Sequence, residues 1–569
     1  MSAILGIYGY DARRPTVGCR HNSGAVLLQD DGTLSVAVEE ERLSRIKNDH
    51  RYPLQAVECV LAQGAAEVVA VAGWPRHRYL GQALSNYRLW ASEAIHGRAA
   101  RHFWNRAFDF PFHALGAAYM GLPSVPDSLA TLPKHTVRHH DAHAATAYYT
   151  CPWPDTPVLV ITLDGAGDAE SGGVWLGEAG HLTRLCSIPH PHSLGFIYSA
   201  ITAHLGFTPH RHEGKVLGLA AFADGAPLGE KLLQHLHFAD GYPQLDRLLL
   251  NIAYGRFAEP TILELVAGLS REEIAAGVQY FTEAAVLPLV QHWVAQTGAH
   301  RLALAGGVFA NVKLNQRVLQ LEVVENIYIY PNMGDGGLAA GAALATLAKQ
   351  QGKLRPRAMD SVYLGQDISS DAAEAALGAA QVAFTQPSDL AGEVAELLAH
   401  GKVVARAAGR MEYGPRALGN RTLFASCGDQ TINQWLNDKL QRTEFMPFAP
   451  IIMEEYAAEY FPEWRPEQVA ARFMTLTYDA SDVAKAKIPA AIHVDGTARP
   501  QVLRRKDNPA VYAILEAYHA RTGVPALINT SFNMHEEPIV CTASDAVRAF
   551  QLGHLDALIC ADLLAVAQG

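Results

Sequence analysis

Short apolar runs closed by glycines or polar loops recur along the chain, and each predicts a buried strand. Ile4-Leu5-Gly6-Ile7-Tyr8 is the first. Runs 24–29 and 34–39 follow as a pair joined at Asp30-Asp31-Gly32, a hairpin turn. A helix over 53–63 and a strand over 68–72 come next. Further on, 158–163, 302–305 and 327–330 read as strands, and 194–205 and 271–296 as amphipathic helices. The last of those strands leads through Asn332-Met333-Gly334-Asp335-Gly336-Gly337 into an alanine-rich helix ending near Lys349. Residues 349–357 are basic, contain Pro356 and lack periodicity, so they mark a domain boundary. Beyond it a helix over 389–400 feeds a strand over 402–405, and a further strand is expected at 525–528.

The first pattern returns without a gap. Ser23-Gly24-Ala25-Val26-Leu27-Leu28, with Gly32 and Leu34 behind it, matches Ser171-Gly172-Gly173-Val174-Trp175-Leu176, with Gly180 and Leu182. Each copy follows an apolar strand and a polar loop, so a strand-loop-hairpin unit is duplicated; two chance hairpins are the plainer alternative. Two halves of this kind form the plan shared by actin, sugar kinases and heat-shock ATPases, which bind nucleotide between their halves on glycine-rich turns. The nucleotide-binding candidates here are Gly165 after the strand 158–163, Gly306 and Gly307 after 302–305, and Asn311 at the next helix start. Glycines let backbone approach a ligand closely, and free N–H groups at a helix start suit an anion or a ribose.

Reactive side chains gather on the same elements. His139 and His143 stand four apart, so on a helix opened by Asp141 they share one face. Two imidazoles at that spacing can hold one metal ion, and a carboxylate from a neighbouring strand end, Asp164, can complete the set; a polar helix start that happens to be His-rich is the alternative reading. Asp335 is a second carboxylate at a strand-to-helix turn; an ordinary N-cap is the alternative reading. In the C-terminal part, 409–421 sets Arg410, Arg416 and Arg421 among glycines and a proline, which prevents a regular helix throughout. Arginines converging from a rigid loop suit an anion, because guanidinium forks match phosphate oxygens. Lys439, Arg442, His493, Arg499, Asn529 and Ser531 add donors nearby in sequence. The insert 76–112 carries many aromatics and arginines and reads as a helical lid or acceptor-binding wall, although packing alone would also account for it.

Composition narrows the choices. At 569 residues, two domains or more are expected. A net charge of -11 disfavours a nucleic-acid partner. Seven cysteines without a C-x-x-C pair remove a zinc ribbon and a disulfide framework, and point to a reducing cytoplasm. The apolar start at 3–8 is too short for a signal peptide, and no apolar stretch is long enough to span a bilayer. A cytoplasmic protein, with no membrane partner, is expected.

Several motifs together carry a resemblance. They are Glu39-Glu40-Glu41-Arg42-Leu43-Ser44-Arg45, the His139/His143 pair, Glu213-Gly214-Lys215-Val216-Leu217-Gly218-Leu219-Ala220 and Gly306-Gly307-Val308. To these add the arginine motif 409–421, His493-Val494-Asp495-Gly496-Thr497-Ala498-Arg499 and Asn529-Thr530-Ser531-Phe532-Asn533. The chain resembles the O-carbamoyltransferases of natural-product and nodulation-factor biosynthesis, such as those acting on tobramycin, cephamycin and ansamycins, over essentially its whole length. The resemblance implies an α/β chain with an actin/sugar-kinase-like duplicated (ribonuclease H-like) domain over 1–352, holding an insert at about 76–135. It also implies a YrdC-like α/β domain over 358–569.

By the same resemblance, the C-terminal domain converts carbamoyl phosphate and ATP, as its Mg2+ complex, into carbamoyl adenylate. The N-terminal domain, with a ferrous ion and a nucleotide site, passes the carbamoyl group to a hydroxylated small molecule, as in antibiotic biosynthesis. His139, His143 and Asp335 match the family's metal ligands, with Asp164 a ligand or a group just behind them. His21 matches the base, and Lys47 faces the carbamoyl or phosphate group. Arg416, Arg421, Arg442 and Arg499, with Lys439, Asn529 and Ser531, are the carbamoyl phosphate and ATP candidates. A homodimer is a further expectation.

The chain departs from the family pattern at Asn22, where an aspartate is frequent, at Met446, where an arginine is usual, and at Ala408, where a glutamine is common. Two rivals remain at this point. One is a tRNA threonylcarbamoyl-type fusion enzyme, which the acidic charge and the aromatic insert oppose. The other is a nucleotide switch of the actin or heat-shock type, which has no use for a second arginine-rich domain.

Overall fold

The computed structural model describes residues 3–9, 21–73, 129, 131–254, 260–439 and 448–567. The chain divides into two compact units. Met1–Arg20, Ala25–Leu34 and Gly64–Ala358 form the first; His21–Gly24, Ser35–Gln63 and Met359–Gly569 form the second. The sequence reading kept everything before residue 352 in one domain. Residues 35–63 group instead with the C-terminal part, where buried Arg42 meets Gly414 and half-buried Arg45 meets Pro538 and Asp545. The insert 76–112, Arg442 and Met446 lie outside the described residues.

The first five strands are β1 (Ile4–Tyr8), β2 (Gly24–Leu28), β3 (Leu34–Glu39), β4 (Val68–Ala72) and β5 (Lys134–Val137). In the first unit β2, β1, β4 and β5 lie side by side in that order, with β1–β4 and β4–β5 parallel. The Gln29 N–H donates to the Thr33 oxygen at 2.9 Å and closes the turn expected at 30–32. A second sheet contains β6 (Val158–Gly167), β7 (Glu170–Glu178) and β8 (His181–Pro189). After the small hairpin of β9 (Leu236–Ala239) and β10 (Tyr242–Leu245), it also takes β11 (Arg301–Ala305) and β12 (Asn326–Ile329). Its order is β12-β11-β6-β7-β8, with β12–β11 and β11–β6 parallel and β6–β7 antiparallel. The run β7-β6-β11-β12 therefore repeats β2-β1-β4-β5, which is the duplication seen in the residues.

Both sheets are covered because their central strands are apolar on both faces. All of β1 and the first six residues of β6 are buried. Helix Leu338–Gln351, rich in alanine, packs against β1, β4 and helix His139–Tyr149. The long helix Arg271–Thr297 starts at a capping box between Ser270 and Glu273 and stops at Gly298, whose φ of 67° is left-handed. Among the described residues, no helix is long and apolar enough to cross a membrane.

The second unit is built on β13 (Val404–Ala407), β14 (Arg421–Ala425), β15 (Ala449–Met453), β16 (Tyr478–Asp479), β17 (Thr497–Ala498), β18 (Gln501–Leu503), β19 (Ala526–Ser531), β20 (Ala557–Cys560) and β21 (Leu563–Val566). Seven of them form one mixed sheet, ordered β18-β15-β19-β14-β13-β20-β21. Helices Leu390–Ala399 and Pro509–Thr522 close its core, where Leu398, Phe424, Ile451, Leu515 and Leu527 meet. Both units are thus mixed α/β.

Candidate metal centre

Helix His139–Tyr149 begins directly after β5, and its first N–H, from His139, donates to Asp168 Oδ2 at 2.7 Å. One turn separates His139 from His143, and their ring centroids lie 4.8 Å apart. His140 has its own partner: its Nδ1 is 2.9 Å from Thr162 Oγ1 on β6. Two residues beyond Thr162, Asp164 presents Oδ2 at 3.4 Å from His139 Nε2 and 3.1 Å from His143 Nε2. Its other oxygen accepts the Gly165 N–H at 2.6 Å. Asp335, on the turn after β12, brings Oδ1 to 3.5 Å from His139 Nε2 and 3.8 Å from His143 Nε2.

The four donor atoms lie within 4.8 Å of one another. An ion about 2.1 Å from each donor spaces adjacent donors by roughly 3.0–3.4 Å and opposite ones by about 4.2 Å, so inward movements of a few tenths of an ångström would let the set hold a single ion. Two nitrogens and two carboxylate oxygens suit iron, manganese or zinc. The electrostatics agree. Burial works against charge on Asp164, yet hydrogen bonds from His139 and His143 hold its carboxyl well below the usual range. Burial also opposes a charged His143, but Asp164 and Asp335 raise its pKa to about 9. Two carboxylates set against two imidazoles form a donor set that a divalent cation would suit.

The close fit has a local cause in the turn from β6 to β7. A Cβ added at Gly167 would lie 2.1 Å from His139 Cγ, so only glycine lets the ring reach its place. Asp168 and Ala169 follow with φ of 53° and 66°. Glu170, buried behind them, accepts from Arg138, from Arg184 Nη2 at 2.5 Å and from Ser187 Oγ at 2.6 Å. None of Gly167, Asp168 or Glu170 carried a signal in the sequence reading beyond membership of the polar loop.

The glycine turns come close to the same carboxylate. A Cβ on Gly307 would sit 3.0 Å from Asp164 Oδ1, and one on Gly165 3.1 Å from the Phe196 ring. Gly306 has a φ of 100°, which side chains rarely adopt. Asn311 caps the helix Val312–Leu319, accepting the Leu314 N–H at 3.0 Å, and its amide donates to Gln279 Oε1 at 2.7 Å.

The remaining sequence candidates belong to the second unit. His21 Nδ1 lies 2.8 Å from Asn22 Oδ1, and Lys47 Nζ lies 3.9 Å from Glu41 Oε1. The arginine motif is a braced loop. Glu412 Oε1 accepts the N–H groups of Leu418, Asn420 and Arg421 at 2.8, 2.7 and 3.2 Å. Arg421 is fully buried, and its guanidinium donates to the carbonyls of Gly409, Asn420 and Gln366, so its contacts are those of a brace. Arg406, which the sequence reading passed over, donates to the oxygens of Ala408 and Gly419 in the same way. Arg416 differs. Burial, with no acidic group offsetting it, lowers its pKa to about 10, and its Nε, like that of Arg421, has no hydrogen-bond partner among the described residues. Asn529 is satisfied internally, donating to Ala417 and Gln501 and accepting from Thr422. Ser531 donates to Asn533 Oδ1 at 2.6 Å, and Arg499 is half-buried. Lys439 ends the helix Thr431–Lys439.

Two family models match: carbamoyltransferase N-terminus over residues 115–344 and carbamoyltransferase C-terminus over 395–566. The chain belongs to the carbamoyltransferase family. As a carbamoyltransferase it is an enzyme of the transferase class. It is 32% identical to an uncharacterized protein of Synechocystis, over 98% of this chain and 96% of that one. It is equally 32% identical to nodulation protein NolNO of Sinorhizobium fredii, over 95% and 78%. Nodulation protein U of Rhizobium tropici is 26% identical over 95% and 94%. Among solved structures, (R)-2-hydroxyglutaryl-CoA dehydratase component A of Acidaminococcus fermentans covers 62% of this chain at 15% identity. Its TM-score of 0.35 is too low to argue from.

Proposed function

We propose that this carbamoyltransferase uses ATP to turn carbamoyl phosphate into carbamoyl adenylate and passes the carbamoyl group to a hydroxyl of a secondary metabolite. The observation that carries the reading is the convergence of His139, His143, Asp164 and Asp335 on one point, in a chain matched by both carbamoyltransferase models. In the C-terminal part, water cleaves carbamoyl phosphate to carbamate and phosphate. A carbamate oxygen then attacks the α-phosphorus of ATP, and pyrophosphate leaves. Arg416 is the strongest candidate for the anion, since its guanidinium is desolvated with no acidic group to offset it, whereas Arg421 spends its Nη atoms on carbonyls. Arg499, Arg442 and Lys439 are further candidates. Arg421 and Asn529 act indirectly in this reading, by holding the loop and strand that carry the site.

At the first unit's centre, the acceptor oxygen attacks the carbamoyl carbon, and AMP leaves with the bonding pair. A bound divalent ion, ferrous by family resemblance, would polarise the carbamoyl carbonyl. His139, His143, Asp164 and Asp335 would hold it. Gly165, Gly306 and Gly307, on the turns beside that centre, are the nucleotide-binding candidates, with Asn311 beyond them. By family resemblance alone, His21 is the candidate base and Lys47 the candidate to face the carbamoyl or phosphate group; both belong to the second unit. The repeated strand order supports the actin- and sugar-kinase-like plan for this unit, and a YrdC-like plan is the reading for the other. The test is to supply ATP, carbamoyl phosphate and ferrous ion without an acceptor. Pyrophosphate release and carbamoyl adenylate by mass spectrometry are expected; absence of the adenylate sinks the reading. Hydroxylated metabolites screened for the gain of one carbamoyl unit then identify the acceptor.

A further inference from the structure

Each carboxylate at the metal centre has one oxygen engaged by a neighbour and the other turned to the imidazoles. For Asp164 the engaged oxygen takes the Gly165 N–H, and Oδ2 faces His139 and His143. For Asp335 the engaged oxygen is Oδ2, which accepts the Tyr8 hydroxyl at 2.5 Å, while Oδ1 faces the same two rings. Tyr8 is the last residue of β1 and only 2% exposed. Its position is fixed by the strand, and a buried phenol must donate to something.

We infer that Tyr8 is a positioning residue that makes Asp335 a one-oxygen ligand. The inference rests on the metal-centre reading above. A free carboxylate can grip an ion with both oxygens or swing away. The phenol blocks both movements, because each breaks a buried hydrogen bond and strands a polar group. Two imidazoles and two one-oxygen carboxylates occupy four positions, which leaves room on a larger coordination shell for a substrate oxygen. Hydrogen bonds of this kind, behind the ligands, typically set metal affinity by about 10–100-fold.

The test compares wild type, Tyr8→Phe, Asp335→Asn and the double variant, each loaded with Fe2+ or Co2+. Phe keeps the ring and removes only the hydroxyl. Tyr8→Phe should bind metal roughly 10–100-fold more weakly by equilibrium dialysis, with a shifted Co2+ absorption band. In the Asp335→Asn background the second change should add less than about 2-fold, because Tyr8 acts through that carboxylate. Unchanged affinity and spectrum in Tyr8→Phe overturn the inference, as does an equal loss in both backgrounds. If Tyr8→Phe fails to fold, the comparison of Asp335→Asn with Asp335→Glu decides: the longer side chain, out of register with the phenol, must also shift the Co2+ band. Wild-type protein that takes up no ion overturns the metal-centre reading itself, a result distinct from these.

Discussion

Arg42 donates through Nη2 to the main-chain oxygen of Gly414 at 2.7 Å, inside the arginine motif of the second unit. The same nitrogen meets Glu39 Oε2 at 3.0 Å, and Nη1 lies 3.1 Å from Glu41 Oε1. All three side chains are buried. Burial alone would disfavour the charge on Arg42, but Glu41 and Glu39 more than offset it and raise its pKa. Arg42→Met removes the cation and leaves two buried carboxylates facing each other. A loss of about 3–5 kcal/mol is expected, the usual result of stripping one partner from a buried ion cluster. Urea melts of the full chain measure it. A loss below about 1 kcal/mol would mean the cluster is wetter than its burial indicates.

Gly167 sets a second limit. Alanine there would place its Cβ 2.1 Å from His139 Cγ and 2.4 Å from Nδ1, so the ring must move. Gly167→Ala should cost about 1–3 kcal/mol of stability, the range for overpacking, and should weaken metal uptake by at least about 10-fold. Metal content by elemental analysis, beside a melting curve, separates the two effects. Full metal occupancy in a folded variant would show that the ring is not a ligand.

The metal set was half legible because helix geometry puts residues four apart on one face, whatever the surrounding fold. Asp335 was legible as a carboxylate at a strand-to-helix turn. Tyr8 was not, because its partner lies 327 residues away and only the sheet brings them together. The duplication showed in the residues and again in the strand order. For Arg421 the sequence displays the charge that makes it an anion candidate and hides the carbonyls of Gly409, Asn420 and Gln366 that its two Nη atoms meet. The regrouping of 35–63 was invisible for a related reason. Glu39 and Arg42 look like exposed charges in a polar run, and nothing periodic announces that they are buried.

A pH effect follows from His192. Its Nδ1 accepts the Leu245 N–H at 3.0 Å, so the bond requires the neutral ring, and burial lowers its pKa to about 4. Above about pH 6.5, folded and unfolded chains are both neutral at this site and the stability is complete. As pH falls below 6.5 the unfolded chain takes up a proton that the folded chain refuses. Stability therefore drops until about pH 4, where both forms are charged, by a total of about 3 kcal/mol. Urea melts between pH 7 and 4.5 should show His192→Gln losing about 2–3 kcal/mol less than wild type over that range. Equal slopes would mean that His192 is reached by water.

The division of labour is open to a direct test, because the two candidate sites lie in different parts of the chain. His139→Ala removes a ligand from the metal set and should abolish carbamoyl transfer to the acceptor while pyrophosphate release and carbamoyl adenylate continue. Arg416→Ala removes an arginine of the loop whose buried Nε, like that of Arg421, has no partner among the described residues, and should slow both. Losing a buried charge-assisted bond to a phosphate costs about 1.5–3 kcal/mol, or roughly 10–200-fold in adenylate formation. Supplying carbamoyl adenylate directly sharpens the contrast. Transfer should then return in Arg416→Ala and stay absent in His139→Ala. If His139→Ala loses adenylate formation as well, the two steps share a site and the assignment of one step to each part fails.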